Sequence, residues 1–392
     1  MNAHNAIPAG GQGLGGVFRE LVWSAMPWAP APRPHSASAV TRAWLTDVFR
    51  ERCDAARVEQ VTSLDGTTGT TDRRRLGIQW NAAGLAAGLP GSVFVKSTPL
   101  SAKNRLMVGP LQMAVSECAF YGSVRGDLGT GVAPSCYAAH AGRGARHLLV
   151  LEDLADKQAE LFALRDDCDV DHARGMMRAL GRLHATFWES PRFSGDLAWL
   201  PTQTRRPAIG LLRWQFRRVR RAMLAAPDRE LSPATRRMAE FANRHDVALY
   251  RQWEKGPLTL LHGDCHLGNT YRLPDGSAGL LDWQVLLRGP GTREVAYFLG
   301  SSVPTDVRRA HEDELVRLYL ETLTEHGVTG APTVDQAWEQ YRFFLFDVWD
   351  STAITELWPG LQHPENSAKA FARAQAAVTD HDTDQAIRRA LA

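Results

Sequence analysis

The stretch LTLLHGDCHLGNTYRLPDGSAGLLDWQ, residues 258–284, constrains the fold more than any other part of the chain. It reads as an apolar run, a polar loop, a short strand, a turn, a second apolar run and an aspartate. That order predicts a hairpin-like β ribbon with polar side chains gathered at one end. His262, Asp264, Asn269 and Asp282 are those side chains. Asp264 can accept a hydroxyl proton, and Asn269 and Asp282 offer hard oxygen ligands of the kind Mg²⁺ takes. An isolated His-x-Asp is usually a loop hydrogen bond. Four polar positions in fixed order between strand-like runs form a metal-phosphate pattern.

Around this segment the chain reads as α+β. Residues 1–38 are rich in Gly, Ala and Pro and predict a flexible leader without a basic-then-apolar signal pattern. Residues 39–53 predict a short amphipathic helix with Val40, Trp44, Leu45 and Val48 on one side. ARVEQVTSL, RRLGIQWN and SVFVKSTP predict strands, with a turn at Gly66–Thr71 whose glycines would let backbone amides approach phosphate oxygens. That turn lacks G-x-G-x-x-G spacing, and most such segments are plain hairpin turns. Residues 107–125 predict a helix carrying Glu117, and RHLLVLEDLAD predicts a strand ending at Glu152-Asp153-Leu154. From residue 169 onward helices dominate, over 169–189, two within 205–255, then 291–302, 304–327, 332–352 and 366–391. His184 lies in the first of these and reads as a packing residue.

Composition narrows the function classes. The 392 residues carry a net charge of +2 with no basic tail, which gives no case for nucleic acid. The five cysteines show no C-x-x-C spacing, which argues against a disulfide framework or zinc site and fits a reducing cytosol. No apolar run approaches the roughly 20 residues of a membrane span. Only five of the 45 basic residues are lysines, so Lys96, placed inside an apolar strand, stands out.

Taken in order, SVFVKS, SECAFYGSV, LLVLEDL, LHGDCHLGN, LLDWQ and REVAYFLGSS resemble the kinase-like aminoglycoside phosphotransferase superfamily, and more narrowly its ecdysteroid-kinase-like and choline-kinase-like branch. That branch typically shows a strand Lys, a helix E-x-x-F-Y, an L-E-D-L hinge, H-G-D with an Asn five residues after the Asp, and D-F-Q. Here the last reads Asp282-Trp283-Gln284. The likeness spans about residues 40–350 and implies a bilobal protein-kinase-like α+β fold. Residues 39–153 would form a nucleotide-binding lobe with a small antiparallel β-sheet and one helix. Residues 154–392 would form a larger, mainly helical lobe that binds the acceptor.

The resemblance also implies roles. Asp264 would be the catalytic base or hydroxyl-orienting residue, and Asn269 and Asp282 would hold Mg²⁺. Lys96, paired with Glu117, would hold the phosphates of ATP, with GTP left open. Glu152 and Leu154 would offer backbone contacts to adenine, and Gly66, Thr67 and Gly69 would cover the phosphates. His262 would brace its loop. Glu294 stands where relatives often have Asp, which leaves its loop-stabilising role open. A cytoplasmic enzyme, monomer or homodimer, phosphorylating a hydroxyl of a metabolite or antibiotic is the expectation.

The acceptor is less constrained. Trp214, Trp253, Trp349, Trp358 and Tyr341 offer aromatic lining, and Asp347 and Asp350 offer negative charge. Aromatics at helical spacing are more often core. The mixture favours a moderately apolar alcohol, with a choline- or ethanolamine-type acceptor held by Trp349 and Asp350 as one alternative. A non-catalytic nucleotide-binding scaffold is another, although base, lysine and metal ligands are all present. A protein kinase would need an activation loop after D-F-G, and none fits here.

Overall fold

The computed structural model describes residues 22, 34, 36–68, 71–98, 101–109, 111–142, 146–226, 230–358 and 362–392. The chain divides into two compact units. The first comprises the described residues through Ala159 together with Asp282–Val285; the second holds Glu160–Leu281 and Leu286–Ala392.

The smaller unit is built on a five-stranded antiparallel sheet in the order β1-β2-β3-β5-β4. Its strands are β1 (Val58–Thr68), β2 (Asp72–Trp80), β3 (Ser92–Ser97), β4 (Cys136–Ala141) and β5 (His147–Glu152). Alternation explains one face. Leu76, Ile78 and Trp80 of β2 and Val93 and Val95 of β3 are buried at alternate positions, as a half-covered strand requires. Helix α1 (Arg42–Phe49) closes that face, its Thr41 side chain accepting from the Trp44 N–H and Phe49 meeting Trp80 edge-on at 5.2 Å.

The expected helix over 107–125 is divided. Helix α2 (Ala82–Ala86) lies between β2 and β3, and α3 (Ala102–Val108) and α4 (Met113–Ser123) follow β3. The break between α3 and α4 falls at Gln112, whose φ of 54° puts it in the left-handed region that a continuous helix excludes.

The larger unit is mainly helical. Its helices are α5 (Val170–Thr186), α6 (Ile209–Ala225), α7 (Pro233–Gln252), α8 (Thr292–Ser302), α9 (Thr305–Glu325), α10 (Val334–Leu357), α11 (Pro364–Asp380) and α12 (Thr383–Arg389). The single helix expected over 366–391 is split in two by Asp382, at φ 45°. Short strands interrupt the helices where the motif segment lies. β6 (Glu160–Leu161), β8 (Thr270–Arg272) and β9 (Ala278–Leu280) form one small sheet, and β7 (Thr259–Leu261) pairs with β10 (Leu287–Gly289). The ribbon anticipated from 258–284 is thus β7, a polar loop and the β8–β9 hairpin. Every residue of α8 is buried, so this helix forms the floor on which the polar loop rests. Among the described residues no helix is long and apolar enough to cross a membrane.

Candidate active site

In the smaller unit the site is organised by Lys96. β3 carries it at a buried position, 3% exposed, directly opposite Arg73 of β2 and Leu149 of β5. Its ammonium donates to Glu117 Oε1 at 2.9 Å and to Asp282 Oδ1 at 2.9 Å. A buried ammonium without partners would be costly, and two carboxylates fix it in place. Burial pushes the Glu117 carboxyl upward, with the Lys96 charge opposing that shift. The expected Lys96–Glu117 pair is therefore present, and Asp282 joins it.

Asp282 is held by its neighbours in the chain. Its φ of 65° is a left-handed conformation, unusual for a residue with a side chain. Trp283 stacks flat on Phe120 of α4, and Gln284 Nε2 donates to Glu117 Oε2 at 3.4 Å. Glu117 and Phe120, three apart on one helix, thus receive the two residues that follow Asp282. A second cation meets Asp282: Arg73 Nη2 lies 3.2 Å from Oδ2, while its Nε donates to Thr71 Oγ1 at 3.1 Å. Sequence reading passed over Arg73, which sits in a run of three arginines with nothing to separate them.

Gly66 and Thr67, expected in a turn, are strand residues, paired across the β1–β2 hairpin with Arg74 and Arg73. Gly66 answers a steric need. A side chain there would come within 2.9 Å of the Arg73 carbonyl oxygen. Gly69 lies outside the described residues. At the end of β5, the Glu152 N–H donates to the Ser135 carbonyl at 2.9 Å and the Leu154 carbonyl accepts from the Ala159 N–H at 3.1 Å. Asp153 between them ties the strands together, accepting from Arg75 Nε at 2.9 Å and from Ser92 Oγ. Burial acts to raise the Asp153 pKa, but its hydrogen bonds from Ser92, the Ala155 N–H and Arg75 hold it below the usual range.

In the larger unit the site is the loop between β7 and β8, residues 262–269. Its aspartate is held from two sides. Tyr297 of α8 donates its hydroxyl to Asp264 Oδ1 at 2.8 Å. Asn269 Nδ2 donates to the Asp264 carbonyl at 2.9 Å and approaches Oδ2 at 3.4 Å. Burial and the Asp264 charge push the Tyr297 phenol well above its ordinary value, so it stays a donor. His266 Nε2 lies 3.7 Å from Oδ2. His262 accepts the Asp264 N–H at Nδ1 and donates from Nε2 to the Leu281 carbonyl at 2.8 Å, the tautomer its partners require. It braces the loop.

The loop backbone is latched by Glu294. This fully buried carboxylate accepts the His262 N–H at 3.0 Å and the Gly263 N–H at 2.7 Å, and meets His184 Nε2 at 3.1 Å. His184 is fixed in turn by the Tyr319 hydroxyl at 2.9 Å. Burial would raise the Glu294 pKa, yet hydrogen bonding and charge from His184, with His262 and Arg293 adding, bring it down to about 2. Arg293, next along α8, donates to the Gly263 carbonyl at 2.8 Å and to Asp347 at 2.8–3.0 Å, and its guanidinium lies 4.2 Å from the Tyr297 ring centre. Neither Tyr297 nor Arg293 was picked out from sequence; the spacing of Glu294 and Tyr297, one turn apart, was the available signal.

Asn269 in the larger unit and Asp282 in the smaller one each carry side-chain oxygens of the kind a hard cation takes. Asn269 commits its amide nitrogen to Asp264 and, among the described residues, no donor meets its amide oxygen. Asp282 has each oxygen on a cation, Lys96 at Oδ1 and Arg73 at Oδ2. Among the described residues no group of three or more His, Cys, Asp or Glu could hold a metal by itself.

Comparison with known proteins follows this geometry. No curated protein matches the chain. Among solved structures, it is similar to a choline/ethanolamine kinase family protein of Mesorhizobium loti, with 14% identity, 88% of this chain and 99% of that one covered, and a TM-score of 0.46. It is similar to an ethanolamine kinase of Plasmodium vivax, at 10% identity, 86% and 87% coverage and a TM-score of 0.44. A macrolide 2'-phosphotransferase of Brachybacterium faecium gives 13% identity, 85% and 97% coverage and a TM-score of 0.43. The model of the ecdysteroid kinase-like family matches residues 89–328, which is more than half of the chain and contains Lys96, Glu117, Asp264, Asn269, Asp282 and Glu294. The chain belongs to the ecdysteroid kinase-like family.

Proposed function

We propose that the protein is a small-molecule kinase that transfers the γ-phosphoryl group of ATP to a hydroxyl of an alcohol acceptor. The observation that carries this reading is the buried Lys96 ammonium held by both Glu117 and Asp282. A lysine fixed between a helix glutamate and a metal-ligand aspartate is the phosphate-binding device of kinase-like enzymes.

Phosphoryl transfer passes through a loose transition state, so catalysis is chiefly positioning and charge stabilisation. Asp282 and Asn269 would hold Mg²⁺, which when bound neutralises phosphate charge. Lys96 neutralises phosphate oxygens, and Glu117 keeps its ammonium aimed. The Leu154 N–H is the hinge group offered to an adenine edge. Asp264 takes the acceptor hydroxyl on its carboxylate and accepts its proton late. An ordinary aspartate is too weak a base to ionise an alcohol, so orientation outweighs basicity. Tyr297 on Oδ1 and Asn269 on the backbone carbonyl hold Asp264 for that task.

The test is acceptor-dependent nucleotide consumption with Mg²⁺ across a panel of alcohols, with Asp264→Ala as control. Transfer lost in the variant supports the reading. Nucleotide binding without transfer to any alcohol would favour a scaffold role instead.

A further inference from the structure

Acids that the sequence offers to a cationic acceptor are already occupied in the larger unit. Asp347 is bound by Arg293. Asp350, 2% exposed, takes Arg220 in a bidentate pair. Asp246 takes Arg213 and Arg217. Trp349, Trp253 and Tyr341 are core residues, so Trp349 and Asp350 do not form an ammonium cage.

Arg206 is the reverse case. Its side chain is half-buried and its one hydrogen-bond partner is Gln203 Oε1 at 3.3 Å; among the described residues no carboxylate lies within ion-pair distance of it. The chain places it beside the catalytic loop. The Pro201 carbonyl accepts the Arg288 N–H at 2.8 Å, Thr202 bridges to Arg288 in parallel, and Arg288 pairs with Leu260, two residues before His262. The charged and phenolic groups near enough to act on its charge are Arg293, Asp347, Tyr250 and Asp264. Burial and the Arg293 charge depress its pKa, the behaviour of a guanidinium short of countercharge.

The helix that follows presents apolar side chains, and three of its arginines are neutralised by Asp246 and Asp350. α6 carries five arginines and no acid. Ile209, Leu212 and Phe216 lie half-buried at i, i+3 and i+7, and Trp214 is 50% exposed with Arg218 stacked 4.7 Å above its ring. A half-buried guanidinium with one amide partner and no carboxylate partner has donors left to offer, and an oxyanion would supply the missing countercharge.

We propose that the acceptor alcohol carries an oxyanion, a carboxylate or a sulfate ester, bound by Arg206, on an apolar body seated along α6. This rests on the kinase reading, and Arg206 is its specificity-determining residue. Guanidinium matches an oxyanion bidentately, whereas an ammonium-bearing acceptor would meet like charge.

The test uses the full chain saturated with Mg²⁺ and a non-hydrolysable ATP analogue. Probes of one chain length are compared by calorimetry: a hydroxy fatty acid, the hydroxyalkyl sulfate, the diol and the amino alcohol. The carboxylate or the sulfate should bind about tenfold to a hundredfold tighter than the diol, with the amino alcohol weakest. Which of the two wins identifies the oxyanion. Arg206→Gln should erase the preference without altering nucleotide affinity, and Arg206→Lys should keep part of it. An amino alcohol bound as tightly as the acid, a preference surviving in Arg206→Gln, or no binding of either anion would overturn the proposal. A wild-type protein that fails to bind nucleotide would overturn the kinase reading instead.

Discussion

Phe120 and Trp283 lie face to face, ring centroids 3.8 Å apart and planes within 8° of parallel. Phe120 is fixed on α4, one turn after Glu117, and Trp283 follows Asp282 directly in the chain. The stack and the Gln284–Glu117 contact therefore set where the Asp282 carboxylate points, toward Lys96. A tryptophan here offers a larger stacking face than the phenylalanine common in relatives. Trp283→Ala should cost about 3–5 kcal/mol of stability, as large-to-small core changes do, and weaken nucleotide binding. Trp283→Phe should keep most of both. Denaturant unfolding with nucleotide titration checks this; an alanine variant of normal stability contradicts it.

Asp282 has a second cation in Arg73. Arg73 stands opposite Thr67 on one side and Lys96 on the other. Under the proposed function, a metal on Asp282 would free this guanidinium for phosphate. Arg73→Ala should lower ATP affinity by about tenfold, with a smaller effect on AMP. Equal losses for the two nucleotides, or none, would contradict a phosphate role.

Glu294 holds two consecutive N–H groups of the 262–269 loop with one carboxylate. Its longer side chain, compared with the aspartate of relatives, still makes both contacts because α8 is buried beneath the loop. Glu294→Gln leaves one N–H facing an amide NH₂. Hydrogen bonds to charged groups are worth about 1.5–3 kcal/mol, so kcat should fall by about tenfold to a hundredfold while KM for ATP changes little. A rise in KM for ATP with normal kcat would contradict this.

How much of this was legible follows from where each signal lies. β3 and β5 declare themselves by apolar runs, so Lys96 and the end of β5 at Glu152 could be placed from sequence. The 262–269 loop could be placed because strands flank it. α8 hides two of its bracing residues: Glu294 was marked by the family pattern, but with every position buried no periodicity separates Arg293 and Tyr297 from ordinary core. The helix breaks at Gln112 and Asp382 were missed because neither is glycine or proline, yet both take positive φ. The acids of α10 read as possible cage residues because their arginine partners lie 54 and 130 positions away. Arg206 lies outside any regular helix or strand and had no pattern to mark it.

His172 gives a pH prediction. It is buried, with Nε2 2.9 Å from Thr270 Oγ1, and burial, with Arg272 adding, lowers its pKa from 6.5 to about 4. The unfolded chain takes up a proton below about 6.5 that the folded chain refuses until about 4. Folding is therefore disfavoured progressively as pH falls through that window, by up to about 3 kcal/mol, and is insensitive to this group at higher pH. In His172→Gln the urea midpoint should fall less than in wild type between about pH 7 and about pH 5. Parallel losses in the two proteins would contradict it.

The central claim is that Asp264 directs a hydroxyl onto the γ-phosphoryl group. Its most direct test is phosphorylated-product formation from ATP and an alcohol acceptor, followed by mass spectrometry in wild type and Asp264→Ala at matched nucleotide occupancy. The account predicts product in the wild type and a loss of turnover by orders of magnitude in the variant, with nucleotide still bound. Near-normal product formation by Asp264→Ala would contradict it.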